Sequence, residues 1–366
     1  MQPSQKHPFS NSGRLEAPTA ALLVEVTRDP IVESRHRGHI AAVHNRGRLL
    51  ASLGSPEEIT YLRSSAKPLQ ALPLVASGAA DRFGFTEEEV ALACASHNGE
   101  PIHTRLAQSM LNKIGLPPSA LKCGVHEPYS EGETLKLRAR GEAPNVLHNN
   151  CSGKHAGMLA LALHLGAPTE TYDQPDHPVQ REIIKAVSRF SETPVEKMAL
   201  GIDGCGIPCF GLSLRAMALM YARLVAPPAS FDDATRTTCR RIVSAMVNHP
   251  ELIGGSVNRL DTELLRTGSG RLISKVGAEG VYTAGILPCP DWPNGLGLAV
   301  KIEDGENHRA RPAVVIEALR QLGILDDQAT KRLDAYAHIV IRNRNGDAVG
   351  DVRPVFQLKQ SGNDSD

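Results

Sequence analysis

Three short motifs carry serine and lysine residues at spacings suited to nucleophilic chemistry. The first is Ser64-Ser65-Ala66-Lys67, followed by Pro68; because proline is tolerated at the opening of a helix, we expect a helix to begin close to Ser64. A serine and a lysine three positions apart share one helix face, so the Lys67 amine can take the proton of the Ser64 hydroxyl. The alternative interpretation is a helix-capping serine beside a solvated lysine.

The second and third motifs contain Ser96 and Lys275. Ser96 belongs to Cys94-Ala95-Ser96-His97-Asn98-Gly99, which we expect on a loop, and Lys275 to Ser274-Lys275-Val276-Gly277, on or near a strand. Each motif alone also suits an ordinary helix end or strand. In this order, Ser-x-x-Lys, Ser-x-Asn and Lys-x-Gly reproduce the motif series of serine β-lactamases and penicillin-binding proteins, in which the first serine is the nucleophile. Two lysines close together would lower each other's pKa, and a general base must be neutral.

A fourth block combines cysteines with other metal-ligand types. Cys151 and Cys205 have Lys154, His155 and Asp203 beside them, a set that suits zinc. The alternative is a pair of buried cysteines in glycine-rich turns. Lysine is an unusual metal ligand, so spacing by itself favours His155 as the third one.

The elements that must position these motifs are predicted to differ between the chain ends and the middle. Asn45-Arg46-Gly47 and Asn345-Gly346 are turn signals between apolar segments and indicate hairpins. The predicted strands lie at 20–27, 39–44, 49–53, 297–303, 338–342 and 348–352, with one helix at about 312–322.

Helical patterns dominate the middle of the chain, from about residue 64 to 250. Thr86-Glu87-Glu88-Glu89 is a capping box with Phe85 and Val90 as its hydrophobic staple, so a helix begins there. Pro73 is expected to kink the helix that follows Lys67. Apolar residues at helical spacing predict further helices at 104–114, 158–165, 179–190, 212–224 and 235–247.

Strands at both ends and helices between them predict an α+β fold in which one sheet is assembled from the two chain ends and helices pack on it. Residues 19–359 are predicted to form a single catalytic unit with a helical subdomain at about 64–250. Residues 1–18 are interpreted as a flexible leader and 360–366 as a polar tail.

Composition excludes several classes of partner. The 366 residues include 40 Lys+Arg and 40 Asp+Glu, so the chain lacks the excess positive charge of a nucleic-acid binder. No apolar run reaches the roughly 20 residues of a membrane helix, and the polar N-terminal segment does not predict export. We therefore expect a cytoplasmic protein, and its seven cysteines to be reduced thiols or metal ligands.

The motifs together resemble one family, the rhizobial-type L-asparaginases. The similarity extends from about Ile31 to the last strands and rests on six blocks, among which Asn-Cys-Ser-Gly-Lys-His is highly specific. These are Arg63-Ser64-Ser65-Ala66-Lys67-Pro68, Cys94-Ala95-Ser96-His97, Asn150-Cys151-Ser152-Gly153-Lys154-His155, Asp203-Gly204-Cys205, Lys275-Val276-Gly277-Ala278 and Lys301-Ile302-Glu303-Asp304-Gly305.

The resemblance implies hydrolysis of L-asparagine to L-aspartate and ammonia by a homodimer with a layered fold like that of serine β-lactamases and glutaminases. It implies two catalytic pairs, Ser64 with Lys67 and Ser96 with Lys275. It also implies zinc held by Cys151, Lys154 and Cys205, in place of the His155 that spacing favours. The residues that it places around the substrate are Arg63, His155 and Asp203.

Three other functions remain open at this point. A glutaminase shares the chemistry and differs by one methylene in its substrate. A penicillin-interacting acyl enzyme fits the three serine–lysine motifs, and a metal or thiol sensor without enzymatic activity fits Cys151 and Cys205.

Overall fold

The computed structural model describes residues 19–361, so the predicted leader at 1–18 and positions 362–366 of the predicted tail lie outside the described residues. Gln360, assigned to the tail, forms the end of a short strand paired with Ala51. The strands are β1 (Ala21–Arg28), β2 (Ile31–Val43), β3 (Leu49–Leu53), β4 (Ile59–Tyr61), β5 (Ala199–Ile202), β6 (Pro208–Ser213), β7 (Leu272–Val276), β8 (Val281–Ile286), β9 (Leu296–Ile302), β10 (Ile339–Arg342), β11 (Ala348–Pro354) and β12 (Lys359–Gln360).

Helices occupy the middle of the chain and a second, shorter C-terminal stretch. Single 3-10 turns lie at Arg63–Ala66, Pro118–Ala120, Val146–His148 and Val195–Lys197. The α-helices are α1 (Lys67–Gln70), α2 (Leu72–Ala76), α3 (Ala79–Arg82), α4 (Glu87–Ala93), α5 (Pro101–Lys113), α6 (Glu131–Ala139), α7 (Ser152–His164), α8 (Pro178–Ser191), α9 (Leu214–Val225), α10 (Asp233–Asn248), α11 (Pro250–Ile253), α12 (Leu260–Gly268), α13 (Ala310–Gln321), α14 (Asp327–Arg332) and α15 (Asp334–Ala337).

One large antiparallel sheet joins the two ends of the chain. Its strands lie in the order β10-β11-β1-β2-β9-β8-β7, with β3 on β2 and β12 on β3. β1, from the start of the chain, pairs directly with β11, from its end, for example Val26 with Val352. The prediction of a sheet assembled from both chain ends is therefore confirmed, as are the two hairpins around Asn45-Arg46-Gly47 and Asn345-Gly346.

Helices cover both faces of this sheet, which confirms the layered α+β fold. Side chains alternate along each strand, so Ala41 and Ala299 face the helices of the middle segment, whereas Ile40 and Val300 face α13 and its neighbours. Helix α9 rests on the centre of the sheet, where a Cβ on Gly297 would come within 1.8 Å of the Ala218 carbonyl oxygen. This close approach brings the helical layer onto the strands that carry part of the site.

The helical middle differs from the prediction in two respects. It contains helix α6, where the sequence predicted none, and it contains strands β5 and β6, which form a second sheet with β4 in the order β4-β6-β5. Strand β6 leads directly into α9, whose predicted start at 212 therefore moves to Leu214. Short strands with glycines, such as Pro208–Ser213, carry too few alternating positions to be recognised from sequence. Pro73 lies at the start of α2 and the helix is interrupted at Ala71, in line with the expected kink. Between residues 19 and 361 no helix combines the length and the apolar character that crossing a membrane requires.

Candidate active site

The first motif lies on a tight turn that enters the helical layer. Residues Arg63–Ala66 form a 3-10 turn, Arg63 has a φ of 52°, and α1 continues from Lys67. The Lys67 side chain is 1% exposed, and its Nζ atom donates to the Ala95 carbonyl at 2.7 Å, to the Ser96 hydroxyl at 2.9 Å and to the Asn150 carbonyl at 3.3 Å. The Lys67 side chain of the first motif thus contacts Ala95 and Ser96 of the second motif.

The second motif lies on a loop, as predicted, because α4 ends at Ala93. The capping box fixes the start of that helix, since the Thr86 hydroxyl accepts from the Glu89 amide and the Glu89 carboxylate accepts from the Thr86 amide. The Ser96 amide then donates to the Ile253 carbonyl at 2.9 Å. The loop is held at both ends, and Ser96 is 3% exposed.

Lys275 is the residue that the large sheet contributes to the site. It lies on β7 with no exposed surface, and its Nζ atom donates to the Ser96 hydroxyl at 2.9 Å. The expected contact of Ser96 with Lys275 is therefore present. One serine oxygen consequently lies between two buried amines, one from the helical layer and one from the sheet.

Ser64 is arranged differently from the expectation. The structure joins Lys67 to Ser96 and not to Ser64, and the Ser64 hydroxyl makes no hydrogen bond to any residue within 19–361. The Lys67 amine is buried among three acceptors of neighbouring loops, the Ala95 carbonyl, the Ser96 hydroxyl and the Asn150 carbonyl, and its hydrogen bonds go to these. Ser64 remains half-buried and accessible, whereas the neighbouring Ser65 hydroxyl is buried and donates to the Leu62 carbonyl at 2.7 Å.

Burial changes the proton affinity of both amines. Desolvation lowers the pKa of Lys67 from 10.5, and the nearby Lys154 charge lowers it further. Desolvation also lowers the pKa of Lys275, to about 7, despite the opposing effect of the Asp261 carboxylate. Burial therefore gives each amine a larger neutral fraction near neutral pH than an exposed lysine has.

The predicted metal ligands converge beside this pair of lysines. Cys151 precedes the first residue of α7, Lys154 lies in its first turn, and Cys205 follows β5. The Lys154 Nζ atom lies 2.9 Å from the Cys205 sulfur, and the Cys151 sulfur donates to the Asn150 side-chain oxygen, also at 2.9 Å. A hydrogen bond from Cys205 and the Lys154 charge lower the pKa of Cys151.

These donors fit zinc only when the lysine is counted. In the described part of the chain no three His, Cys, Asp or Glu side chains come together as a metal site. Cys151 and Cys205 supply two sulfur atoms, and the Lys154 amine, in contact with the Cys205 sulfur, is the third donor. Thiolate sulfur is a preferred zinc ligand, so the donor chemistry fits the metal that the resemblance implies.

Arg63 and Asp203 form an ion pair at the edge of the site. The Arg63 Nε atom lies 2.9 Å from the Asp203 carboxylate, which also accepts from the Gly204 amide at 2.7 Å. Although burial favours the neutral acid, the charges of Lys154 and Arg63 hold the pKa of Asp203 below 3.8. The pair therefore presents one positive and one negative group at a partly exposed position.

His155 is placed apart from these groups. Its ring has no exposed surface, its Nδ1 atom lies 2.6 Å from the Tyr172 hydroxyl, and the two rings meet edge to face. Desolvation lowers its pKa well below 6.5, so the ring is neutral. The i+1 spacing from Lys154 explains this, because adjacent helical residues point to different faces.

Sequence reasoning missed several residues around the site. Asn150 accepts from Lys67 through its carbonyl, and its side chain donates to the Tyr129 hydroxyl at 3.3 Å. Tyr129 stacks on His126, whose ring accepts from the Asn150 amide at 3.0 Å. Asp261 lies 3.8 Å from the Lys275 amine. Asn150 belongs to the Asn-Cys-Ser-Gly-Lys-His block, but nothing in the local sequence identifies Tyr129 or Asp261 as residues of the site.

The chain was compared with known proteins by sequence and by structure. The family model for L-asparaginase II matches residues 24–354. No curated protein has a significant match to the sequence.

Among solved structures, native Mglu is 15% identical, with 78% of this chain and 65% of that chain covered and a TM-score of 0.42. The chain thus spans slightly less than two thirds of Mglu. A probable glutaminase from Bacillus subtilis, complexed with 6-diazo-5-oxo-L-norleucine, is 12% identical, with 78% and 84% covered and a TM-score of 0.38. A Bacillus glutaminase in 4.3 M NaCl is also 12% identical, with 78% and 91% covered and a TM-score of 0.36.

Proposed function

The chain belongs to the L-asparaginase II family, and from this premise we propose that it hydrolyses the side-chain amide of L-asparagine to L-aspartate and ammonia. One observation carries the proposal. The Ser96 hydroxyl lies 2.9 Å from two buried lysine amines, Lys67 and Lys275, beside an accessible serine, Ser64. Such a set can form and break an acyl-enzyme.

Ser64 is the proposed nucleophile and Lys67 its general base. The accessibility of Ser64 and its free hydroxyl support this role, whereas Ser96 is buried between the two amines. The lowered pKa of Lys67 supports its role as a base. The hydrogen bond from Ser64 to Lys67 forms with substrate in place, since catalytic hydrogen bonds are often long without it.

In the first half-reaction, the Ser64 oxygen bonds to the amide carbon while Lys67 takes the hydroxyl proton. Backbone N–H groups at the start of the Arg63–Ala66 turn can stabilise the oxyanion. Ser96 gives its proton to the departing nitrogen and regains one from Lys67, so the Ser64 proton reaches ammonia through two transfers. Charged Lys275 stabilises the Ser96 oxygen during this exchange.

In the second half-reaction, water attacks the acyl-enzyme and Lys67 again takes the proton. The bond between the acyl carbon and the Ser64 oxygen breaks, the proton returns to Ser64, and L-aspartate leaves. Arg63 and Asp203 are proposed to bind the substrate's α-carboxylate and α-amino groups, supported by their opposite charges and 2.9 Å separation. His155 is given no substrate contact, because its ring is fully buried against Tyr172.

Zinc is part of the proposal, with Cys151, Lys154 and Cys205 as its ligands. Bound there, it supplies a fixed positive charge that orients the polar α-groups of the substrate and stiffens the pocket. The serine–lysine set already supplies a nucleophile, so no step of the proposed reaction depends on the metal. Homodimeric assembly and a cytoplasmic location stay predictions from the sequence.

The decisive experiment measures ammonia release from L-asparagine by the purified chain, with L-glutamine as the alternative substrate and a chelator arm for the metal. We expect a higher kcat/KM for L-asparagine and turnover that continues, more slowly, after chelation. A higher kcat/KM for L-glutamine would make the protein a glutaminase. No ammonia from either amide would overturn the proposal.

A diazoketone analogue of L-asparagine identifies the nucleophile by mass mapping of the labelled peptide. We expect the adduct on Ser64, and Ser64→Ala to lower kcat by about a thousandfold or more. Ser65→Ala is the matched control, because the Ser65 hydroxyl contacts only the Leu62 carbonyl and the variant should retain activity. An adduct on Ser96 with Ser64 unmodified would contradict the assignment.

A further inference from the structure

A buried carboxylate behind the site has no hydrogen-bond partner. Asp261, the second residue of α12, is 1% exposed, and neither of its carboxylate oxygens makes a hydrogen bond to a described residue. Burying an unpaired charge is costly, so such a carboxylate persists only beside positive charge. The structure places two positively charged groups within 4 Å of it.

Lys275 is the fully buried one of these two groups. Its Nζ atom lies 3.8 Å from the Asp261 Oδ2 atom, and both side chains are almost completely removed from solvent. The other group, the Arg259 guanidinium, lies 3.6 Å away but is partly exposed and already donates to the Asn98 side chain at 2.7 Å. The Asp261 charge therefore acts most strongly on Lys275, where no water screens it.

Lys67 is paired differently. It forms no ion pair with any carboxylate in the described part of the chain, and its donations go to a hydroxyl and two backbone carbonyls. The group that most favours its charged form is the Cys151 sulfur. The Asp261 carboxylate is therefore the partner of Lys275 and not of Lys67.

We propose that Asp261 is a positioning residue for the amide hydrolysis: its carboxylate favours the charged form of Lys275 and holds this amine in place against Ser96. The inference rests on the proposed function, since it assigns a task to a residue behind that same site. Asp261 itself touches neither the serines nor the position of the substrate.

Other groups near Lys275 shift its pKa in opposite directions. Burial and the positive charges lower its pKa, and Asp261 and Cys151 raise it. Charged and titratable groups face Lys275 or Asp261 from each element packed against them, and these are Lys67 on α1, Cys94 after α4, Cys151 before α7, Tyr221 on α9, Arg259 before α12, Tyr282 on β8 and Arg311 on α13.

Asp261→Asn tests the proposal, because it keeps the shape and removes the charge. NMR titration of ¹³C-labelled lysine, with Lys275→Met to assign its signal, should show the Lys275 pKa falling by about one unit or more. In assays, kcat at pH 7 should fall about tenfold with little change in KM. The alkaline limb of the pH–rate profile should move to lower pH by about one unit, as the Lys275 pKa does.

Thr262→Val is the matched control on the same helix. Thr262 is equally buried and donates to the Gly255 carbonyl at 2.8 Å, so the variant loses a buried hydrogen bond without changing any charge near Lys275. It should lower the melting temperature and leave the Lys275 titration unchanged. An unchanged Lys275 titration in Asp261→Asn would overturn the proposal.

If Asp261→Asn folds poorly, a double-mutant cycle of melting temperatures tests the same ion pair. In the Lys275→Met background the carboxylate has lost its fully buried counter-ion and keeps only the partly exposed Arg259, so adding Asp261→Asn should raise the melting temperature. If Asp261→Asn lowers the melting temperature of the Lys275→Met protein as much as it lowers that of the parent protein, the ion pair is contradicted. Failure of the parent to hydrolyse either amide would refute the proposed function alone, because the titration and the cycle do not depend on turnover.

Discussion

Two buried lysine side chains around one hydroxyl are the central feature at the residue scale. Both amines lie 2.9 Å from the Ser96 oxygen, and both are buried. Burial destabilises the ammonium form of each, and mutual repulsion adds to this, so the site favours a single shared proton charge. A carboxylate, that of Asp261, lies within 4 Å of only one of the two amines, Lys275.

This arrangement predicts the alkaline side of the pH profile. Lys275 has its pKa lowered to about 7, and the proposed reaction needs its charged form, so kcat/KM should fall as pH rises through that value. Lys275→Arg keeps the charge to higher pH and should remove this limb while lowering the maximum rate. A limb near the ordinary lysine value of 10.5, in the parent protein, would contradict the argument.

At the scale of elements, helices α4 and α7 set the distance between the serine–lysine pair and the cysteine cluster. Ser96 follows α4, and Cys151 and Lys154 begin α7. The two helices approach most closely at Gly153, where a Cβ would come within 2.5 Å of the Leu92 carbonyl oxygen. A glycine is required there because the contact is with backbone, which cannot move aside.

Gly153→Ala should therefore both destabilise the protein and impair the site. The methyl group forces α7 away from α4, which we expect to cost about 1–3 kcal/mol in unfolding free energy and to reduce kcat. Gly132→Ala in α6 is the matched control, because only the Ser130 hydroxyl lies near the added methyl group, at 3.9 Å. The control should be neutral or slightly stabilising. Denaturant unfolding and steady-state kinetics check both variants, and equal effects would contradict the prediction.

At the scale of the whole molecule, the site exists only where two layers meet. The large sheet contributes Lys275, whereas the helical layer contributes Ser64, Lys67 and Ser96. Helix α9 lies between them on the sheet, and the Tyr221 hydroxyl donates to the Ser65 carbonyl at 2.7 Å. This hydrogen bond connects the Arg63–Ala66 turn to the helix that is packed on the sheet.

Tyr221→Phe should loosen this connection between the layers. It leaves the buried Ser65 carbonyl without this donor, which costs about 1–3 kcal/mol of stability, and we expect kcat to fall more than KM changes. Tyr336→Phe is the control, because its hydroxyl makes no hydrogen bond to a described residue. Thermal unfolding of both variants is the measurement. An unchanged melting temperature for Tyr221→Phe would show that the contact does not join the layers.

Local features of the sequence were sufficient to predict much of the fold. The Thr86 capping box and the Asn345-Gly346 hairpin depend on residues only a few positions apart, so the local sequence is enough to predict both. The alternation of apolar residues at both chain ends likewise predicted the strands that meet in one sheet. The β4-β6-β5 sheet escaped prediction, because its strands are short and β4 pairs with a strand about 150 positions away.

The sequence by itself determined which residue types carry the chemistry, since Ser64, Lys67, Ser96 and Lys275 stand in ordered motifs. Only the tertiary structure decided that Lys67 turns to Ser96, that His155 faces Tyr172, and that Asp261 lies behind Lys275. The physical reason is that hydrogen bonds and ion pairs of long side chains depend on where separate elements pack. Motif spacing within one element does not encode that packing.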